Sequence, residues 1–246
     1  MTEKKQFVAT PEAKAQAKQL RLFAMLAWII AIACEVYAIL KLLHNDMLTW
    51  LIVAIVVILA LSITGSLLWK KSNRLDPASE KDKFRFFVQN QLGAIIAAVA
   101  FLPLIILIFT NKELDGKSKG IAGAIGIVAL LAAGIVGTDF NPPSIEKYTE
   151  QINEQTDSLR TLNDGVDHAY WTPGGEKYHI FKDCQHIKGR EIHEGTVQQA
   201  WEERKKGDNE LCKTCRKRAE KRQEQGGADA NAEPAEQAVP QETGAE

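Results

Sequence analysis

The sequence predicts a mainly α fold, a four-helix transmembrane bundle followed by a linker helix and a small ββα domain, and three observations carry that prediction. Nearly all the long apolar runs fall within residues 22–138 of the 246, and four of them approach the ~20 residues a helix needs to cross a hydrocarbon core. Residues 139–246 are instead polar and charged. Three of only four cysteines lie in one short stretch of that polar part, with a histidine five positions before the first. The average composition, 46% hydrophobic and 25% charged with a net charge of -1, conceals this division.

Residues 1–21 form an N-terminal helical arm. Thr10-Pro11-Glu12 has the form of a helix start, with Thr as N-cap and Pro in the first turn, and the helix formers Ala, Lys and Gln follow. A helix beginning near Pro11 should therefore run straight into the first apolar run. A cleaved signal peptide is the competing reading, but the run outlasts an apolar core of about 7–15 residues and no small-x-small site follows it.

The four crossings are residues 22–43, 50–69, 92–109 and 121–138. Only His44 to Thr49 joins the first two, so they are antiparallel neighbours. Trp50 and Trp69 bracket the second run, where interfacial aromatics belong. Lys4, Lys5, Lys14, Lys18 and Arg21 precede the first crossing, and Lys70, Lys71, Arg74, Lys81, Lys83 and Arg85 fill the second link. The first and third links together offer only Lys112, Lys117 and Lys119. By the positive-inside rule the arm and the second link are cytoplasmic, and four crossings return the C-terminal segment to that side. The expected location is the cell membrane, multi-pass, with both termini cytoplasmic. Thiols better explained by metal than by disulfides suit that reducing compartment; the fourth, Cys34, lies in the first crossing.

Glu35 is the one acidic residue inside a crossing. An ionisable group at membrane depth is costly and marks a candidate functional position, here a proton or cation site. The bland alternative is a carboxyl hydrogen-bonded to Ser62, Thr64 or Ser66. Pro103 reads as a tolerated kink. Ala122, Gly126, Ala129, Ala133 and Gly137 recur at three- and four-residue spacing, a stripe that lets helix backbones approach closely.

Residues 139–166 form the linker. Asn141-Pro142-Pro143-Ser144 breaks the fourth helix and offers Ser144 as a new cap; Ile145, Tyr148, Ile152, Gln155, Leu159 and Leu162 then fall on heptad positions a and d. The helix 144–162 is either a stalk pairing two copies as a homodimer or a single amphipathic helix lying against the bilayer or the C-terminal domain. Asn163-Asp164-Gly165 ends it.

The C-terminal domain spans residues 167–222. Ala169 to Thr172 and Lys177 to Ile180 have strand composition around Pro173-Gly174-Gly175, which reads as a hairpin ending on His179. Thr196 with Gln199 is a capping box opening a helix, with Gly207 beyond its end. Leu211 leads into Cys212-Lys213-Thr214-Cys215. The spacing is His-x4-Cys, 27 residues, then Cys-x2-Cys; that donor set suits one structural, tetrahedral Zn²⁺ held by His179, Cys184, Cys212 and Cys215, with His186 the alternative to His179 as fourth ligand. A domain of ~55 residues has too small a core to stand alone easily, and metal binding would supply folding free energy.

Lys177-Tyr178-His179, then Cys184, a short helix from Thr196, then Leu211-Cys212-Lys213-Thr214-Cys215 resembles the metal-binding finger of the Ada DNA-repair protein, in the histidine-for-cysteine version appended to many bacterial proteins. The resemblance covers about residues 169–222 and none of the membrane part. It implies His179, Cys184, Cys212 and Cys215 as zinc ligands with Tyr178 packed under the site. In the repair protein one zinc cysteine accepts a methyl group. His179 stands in place of the first cysteine, and a neutral imidazole is not an equivalent nucleophile, so methyl transfer is not expected; its x4 spacing to Cys184 also departs from the usual x3.

Other candidates have plainer readings. His168 and His193 read as surface or supporting histidines. Cys212 and Cys215 could be a redox pair, but no thioredoxin-like context surrounds them. Arg216, Lys217, Arg218, Lys221 and Arg222 form a basic cluster, either a solvated face or a site for anionic lipid headgroups, with nucleic acid the lesser alternative beside a membrane. Residues 223–246, rich in Ala, Glu, Gln and Pro, read as a disordered acidic tail.

The sequence holds no Ser/His/Asp set, phosphate loop or carboxylate pair, and four protein ligands leave zinc no open position, so catalysis is not expected. The leading expectation is a membrane scaffold whose zinc finger binds a protein partner, with membrane lipid around the bundle. The alternatives are a membrane-tethered metal or redox sensor and a small transporter using Glu35.

Overall fold

The computed structural model describes residues 6–204 and 210–230. Lys4, Lys5, the helix stop expected at Gly207 and the tail beyond residue 230 lie outside the described residues. Helix α1 (Pro11–Lys41) begins where the Thr10 hydroxyl accepts from the Ala13 amide at 3.2 Å. A 3-10 turn at Asn45–Met47 leads into α2 (Leu48–Leu75). Asp82 then caps α3 (Lys83–Thr110) and Asp115 caps α4 (Gly116–Gly137). All four are long and apolar enough to cross a membrane. Ile55, Ile58, Phe101, Leu104 and Ile108 pack in their core with small residues such as Ala31, Ala97 and Ala129. Large apolar side chains such as Ile29, Val128 and Leu131 are exposed on the outer faces, which suits lipid and not water. Pro103 sits inside α3 without ending it.

The small-residue stripe of α4 is buried throughout. A Cβ on Gly137 would lie 2.5 Å from the Gly93–Ala94 backbone, so α3 and α4 meet where glycine alone permits the approach. The stripe is an internal packing face.

Polar bonds tie each end of the bundle. At one end Arg21 pairs with Asp76 at 3.0 Å, and Asn73 and Trp69 donate to the Gln89 carbonyl at 2.8 and 2.7 Å. Lys70 donates there to the Thr138 carbonyl at 2.7 Å. The N-terminal arm, the α2–α3 link and the segment after α4 therefore share this end. Trp69, expected at the lipid interface, is half-buried here and packs on Trp28 with ring centroids 5.4 Å apart. At the other end His44 pairs with Glu113, and the Asp115 amide donates to Asn45 at 2.9 Å.

Helix α5 (Ile145–Leu162) is capped by Ser144, whose hydroxyl accepts from the Lys147 amide at 3.0 Å. Tyr148, Ile152, Leu159 and Leu162 are buried within this chain. These are apolar residues of the face expected to be covered, either by a second copy or by the chain itself. The helix stops at Asp164 and Gly165, both at positive φ, with the Gly165 amide on the Arg160 carbonyl at 2.8 Å.

The chain divides into two compact units, cut within α5 between Asn153 and Glu154, with residues 201–208 grouped with the first. The second unit holds two two-stranded sheets: β1 (Ala169–Trp171) pairs antiparallel with β3 (His193–Gly195), and β2 (Lys177–Tyr178) pairs parallel with β4 (Glu210–Leu211). The expected hairpin survives as one pair, Tyr170 and His179, exchanging two 2.7 Å N–H···O bonds. The simple ββα picture lacked β3 and β4, because His-Glu-Gly and Glu-Leu carry no strand composition and pair only through tertiary context. Helix α6 (Val197–Arg204) opens on the expected capping box, the Thr196 amide reaching Gln199 Oε1 at 2.8 Å and the Gln199 amide reaching Thr196 Oγ1 at 3.2 Å. Helix α7 (Lys213–Ala230) follows β4 directly and takes in the first residues of the expected tail.

Candidate metal centre

Three local structures bring four donor side chains to one point. His179 follows β2, its backbone pinned by the exchange with Tyr170. Cys184 sits in a tight turn, its amide on the Phe181 carbonyl at 3.2 Å and its carbonyl accepting from the Ile187 and Lys188 amides at 3.0 Å. Cys212 links β4 to α7 with its amide on the Tyr178 carbonyl at 2.9 Å, and Cys215 lies in the first turn of α7. The ligand atoms of His179, Cys184, Cys212 and Cys215 all lie within 4.8 Å of one another, and all four residues are buried. This group could hold a metal ion.

The spacing passes a direct test of fit. Cys215 Sγ stands 3.6 Å from His179 Nδ1. A tetrahedral ion with bonds of about 2.3 Å to sulfur and about 2.0 Å to nitrogen holds those two atoms about 3.5 Å apart. Tyr178, Ile180, Ile187 and Ala219 are buried in the same unit, so apolar side chains surround the cluster. Burial pushes the Cys215 thiol up to about 12. Burial also raises the Cys212 thiol, but the Cys215 and Thr214 amides, helped by the Cys184 and Thr214 side chains, outweigh it and leave that thiol below its usual range. Cys212 thus behaves as a sulfur N-cap of α7.

His186 does not join the group. Its Nε2 lies 3.1 Å from Thr214 Oγ1, its ring centroid is 6.5 Å from that of His179, and it is exposed. The Cys-x-His pairing fails because the turn at Cys184 directs residue 186 outward. A cavity of about 450 Å³ opens beside the cluster, lined by His179, Cys212, His186, Arg190, Lys213 and Thr214 among others.

The basic cluster on α7 is partly spent inside the chain. Arg218 makes two 2.9 Å contacts to Asp183 and lies 4.3 Å over the Phe181 ring. Arg222 pairs with Asp164 at 2.9 Å. Both clamp α7 to neighbouring turns, Arg218 to the turn carrying Cys184, and only Arg216, Lys217 and Lys221 remain for an external anion. Nothing in the spacing of Asp183 and Arg218 signalled this clamp. His168 packs edge-on to Tyr170 at 4.9 Å, and His193 lies 3.4 Å from Glu191.

Glu35 is 3% exposed in the bundle core beside the Leu104 backbone, and among the described residues its Oε1 has no hydrogen-bond partner. Of the hydroxyls expected to hold it, Thr64 donates to the Ala60 carbonyl and Ser66 to the Ser62 carbonyl, at 2.8 and 2.9 Å, and the Ser62 hydroxyl has no hydrogen-bond partner among the described residues. No family model, curated protein or solved structure matches this chain.

Proposed function

We propose that the chain is a multi-pass membrane protein carrying a cytoplasmic zinc finger of the Ada-like, histidine-for-cysteine kind, whose role is to present a rigid surface to a protein partner without catalysis. The buried convergence of one imidazole and three thiols carries the proposal. Three soft sulfur donors with one nitrogen at tetrahedral spacing favour Zn²⁺ over ions that prefer oxygen. Four protein ligands leave no position for substrate or water, which argues for a structural ion. The positive-inside count argues for cytoplasmic termini, and the shared end of the arm, the α2–α3 link and the segment after α4 is in keeping with an even number of crossings.

A second reading is favoured by the cavity that reaches His179 and Cys212: a sensor in which oxidation of the thiolates releases the ion and reshapes the finger. Affinity capture from the native membrane with wild-type chain and with Cys212→Ser tests the first reading. It expects a defined partner lost with the ion, and an identical set of captured proteins would remove it. Partner loss on mild peroxide treatment, restored by reductant and zinc, would select the sensor.

A further inference from the structure

We propose that the start of α3 is a binding site for anionic phospholipid headgroups. Phe84 is 80% exposed and Phe87 58% exposed, and the spacing of three puts them on one face of the helix. Gln91 continues that face one turn on, and its side chain donates to the Asp139 carbonyl at 3.3 Å. This brings the neighbouring Phe140, 78% exposed, beside the same face. Three phenyl rings lacking apolar cover thus stand at the polar end of the bundle, where a hydrocarbon core would give way to headgroups.

The charges around them select the partner. Lys81, Lys83 and Arg85 flank the rings and are exposed, as are Lys71 and Arg74 at the end of α2. The acidic groups nearby are largely occupied: Asp76 is held by Arg21, Asp82 caps α3 through the Arg85 amide at 3.1 Å, and Asp139 accepts from the Asn141 amide at 3.3 Å. Glu146 accepts from the Ser79 hydroxyl and from the Glu80 amide at 2.8 Å, close enough to Lys81 to offset part of its charge, and Glu80 is exposed. Phenyl rings that insert beside cations that stay at the surface match a phosphodiester on an acyl chain better than either a free phosphate or an acidic peptide. Each cation beside an anionic surface contributes about fivefold in affinity. On α7, by contrast, two of the five cations, Arg218 and Arg222, are tied to Asp183 and Asp164.

The site rests on the reading that the four helices cross a bilayer. The full chain is reconstituted in nanodiscs of phosphatidylcholine with phosphatidylglycerol, and the lipids retained are counted by native mass spectrometry. Carbonate-resistant membrane association, measured beforehand, tests the crossing by itself. The expected result is selective retention of phosphatidylglycerol, reduced about a hundredfold in affinity by Lys81→Gln/Lys83→Gln/Arg85→Gln. Phe84→Ser/Phe87→Ser should weaken retention of both lipids, while Lys112→Gln/Lys117→Gln/Lys119→Gln at the opposite end changes nothing. Unchanged selectivity in the first variant, or equal loss in the opposite-end variant, would overturn the site. So would capture of a second copy of the chain in place of lipid at the phenyl face.

Discussion

Metal and protons compete for the same sulfur atoms, and Cys215 sets how steeply. Its thiol, pushed up to about 12 by burial, is protonated throughout the neutral range in the metal-free chain, so an arriving ion must displace that proton. One displaced proton makes the apparent affinity rise about tenfold per pH unit. The sign is fixed: affinity climbs with pH and falls in acid. Cys215 alone gives the minimum slope, and each further thiol protonated at the working pH steepens it. The perturbation is pH, stepped from 7 to 9 on the full chain in detergent, and the assay is competition with a chromophoric zinc chelator of known pH dependence. Affinity that stays flat across that range would mean that Cys215 is not a ligand or does not sit in the buried setting described.

Other consequences concern the bundle and its surroundings. Gly137→Ala places a methyl 2.5 Å from the α3 backbone and should cost about 1–3 kcal/mol, read as a lower Tm in detergent. Gly134→Ala, with nothing within 4 Å, should leave the Tm unchanged or raised. Glu35→Leu removes a buried oxygen that lacks a partner and should stabilise the bundle by roughly 1–3 kcal/mol; a lower Tm would show that the carboxyl is held by something worth keeping. A reporter fused after Glu246 should be active on the cytoplasmic side, and activity on the opposite side would reverse the assigned orientation.

How much was legible in advance depended on how local the cause is. Thr10, Ser144 and Thr196 act within their own first turn, so each helix start could be read from residues a few positions apart. The four helices long and apolar enough to cross a membrane were equally plain, since a run of about twenty apolar residues needs no partner to declare itself. His179 with Cys184, Cys212 and Cys215 could be read because metal chemistry restricts donor type and spacing. What stayed hidden is what only tertiary contact creates. β3 and β4 are strands because β1 and β2 lie beside them. Arg218 is a clamp because Asp183 happens to face it, and Thr64 and Ser66 do not serve Glu35 because they bond back along their own helix. The heptad face of α5 was correctly seen as apolar, but periodicity does not say whether the covering surface comes from a second copy or from the same chain.

One ion, on this reading, joins His179 and Cys184 to Cys212 and Cys215. The most direct test is the zinc content per chain of protein purified without added metal, measured by plasma mass spectrometry for wild type, Cys212→Ser and His186→Gln. One zinc per chain is predicted for wild type and for His186→Gln, and none for Cys212→Ser. Stoichiometric zinc in Cys212→Ser, or its loss in His186→Gln with Cys212 intact, would contradict the assignment.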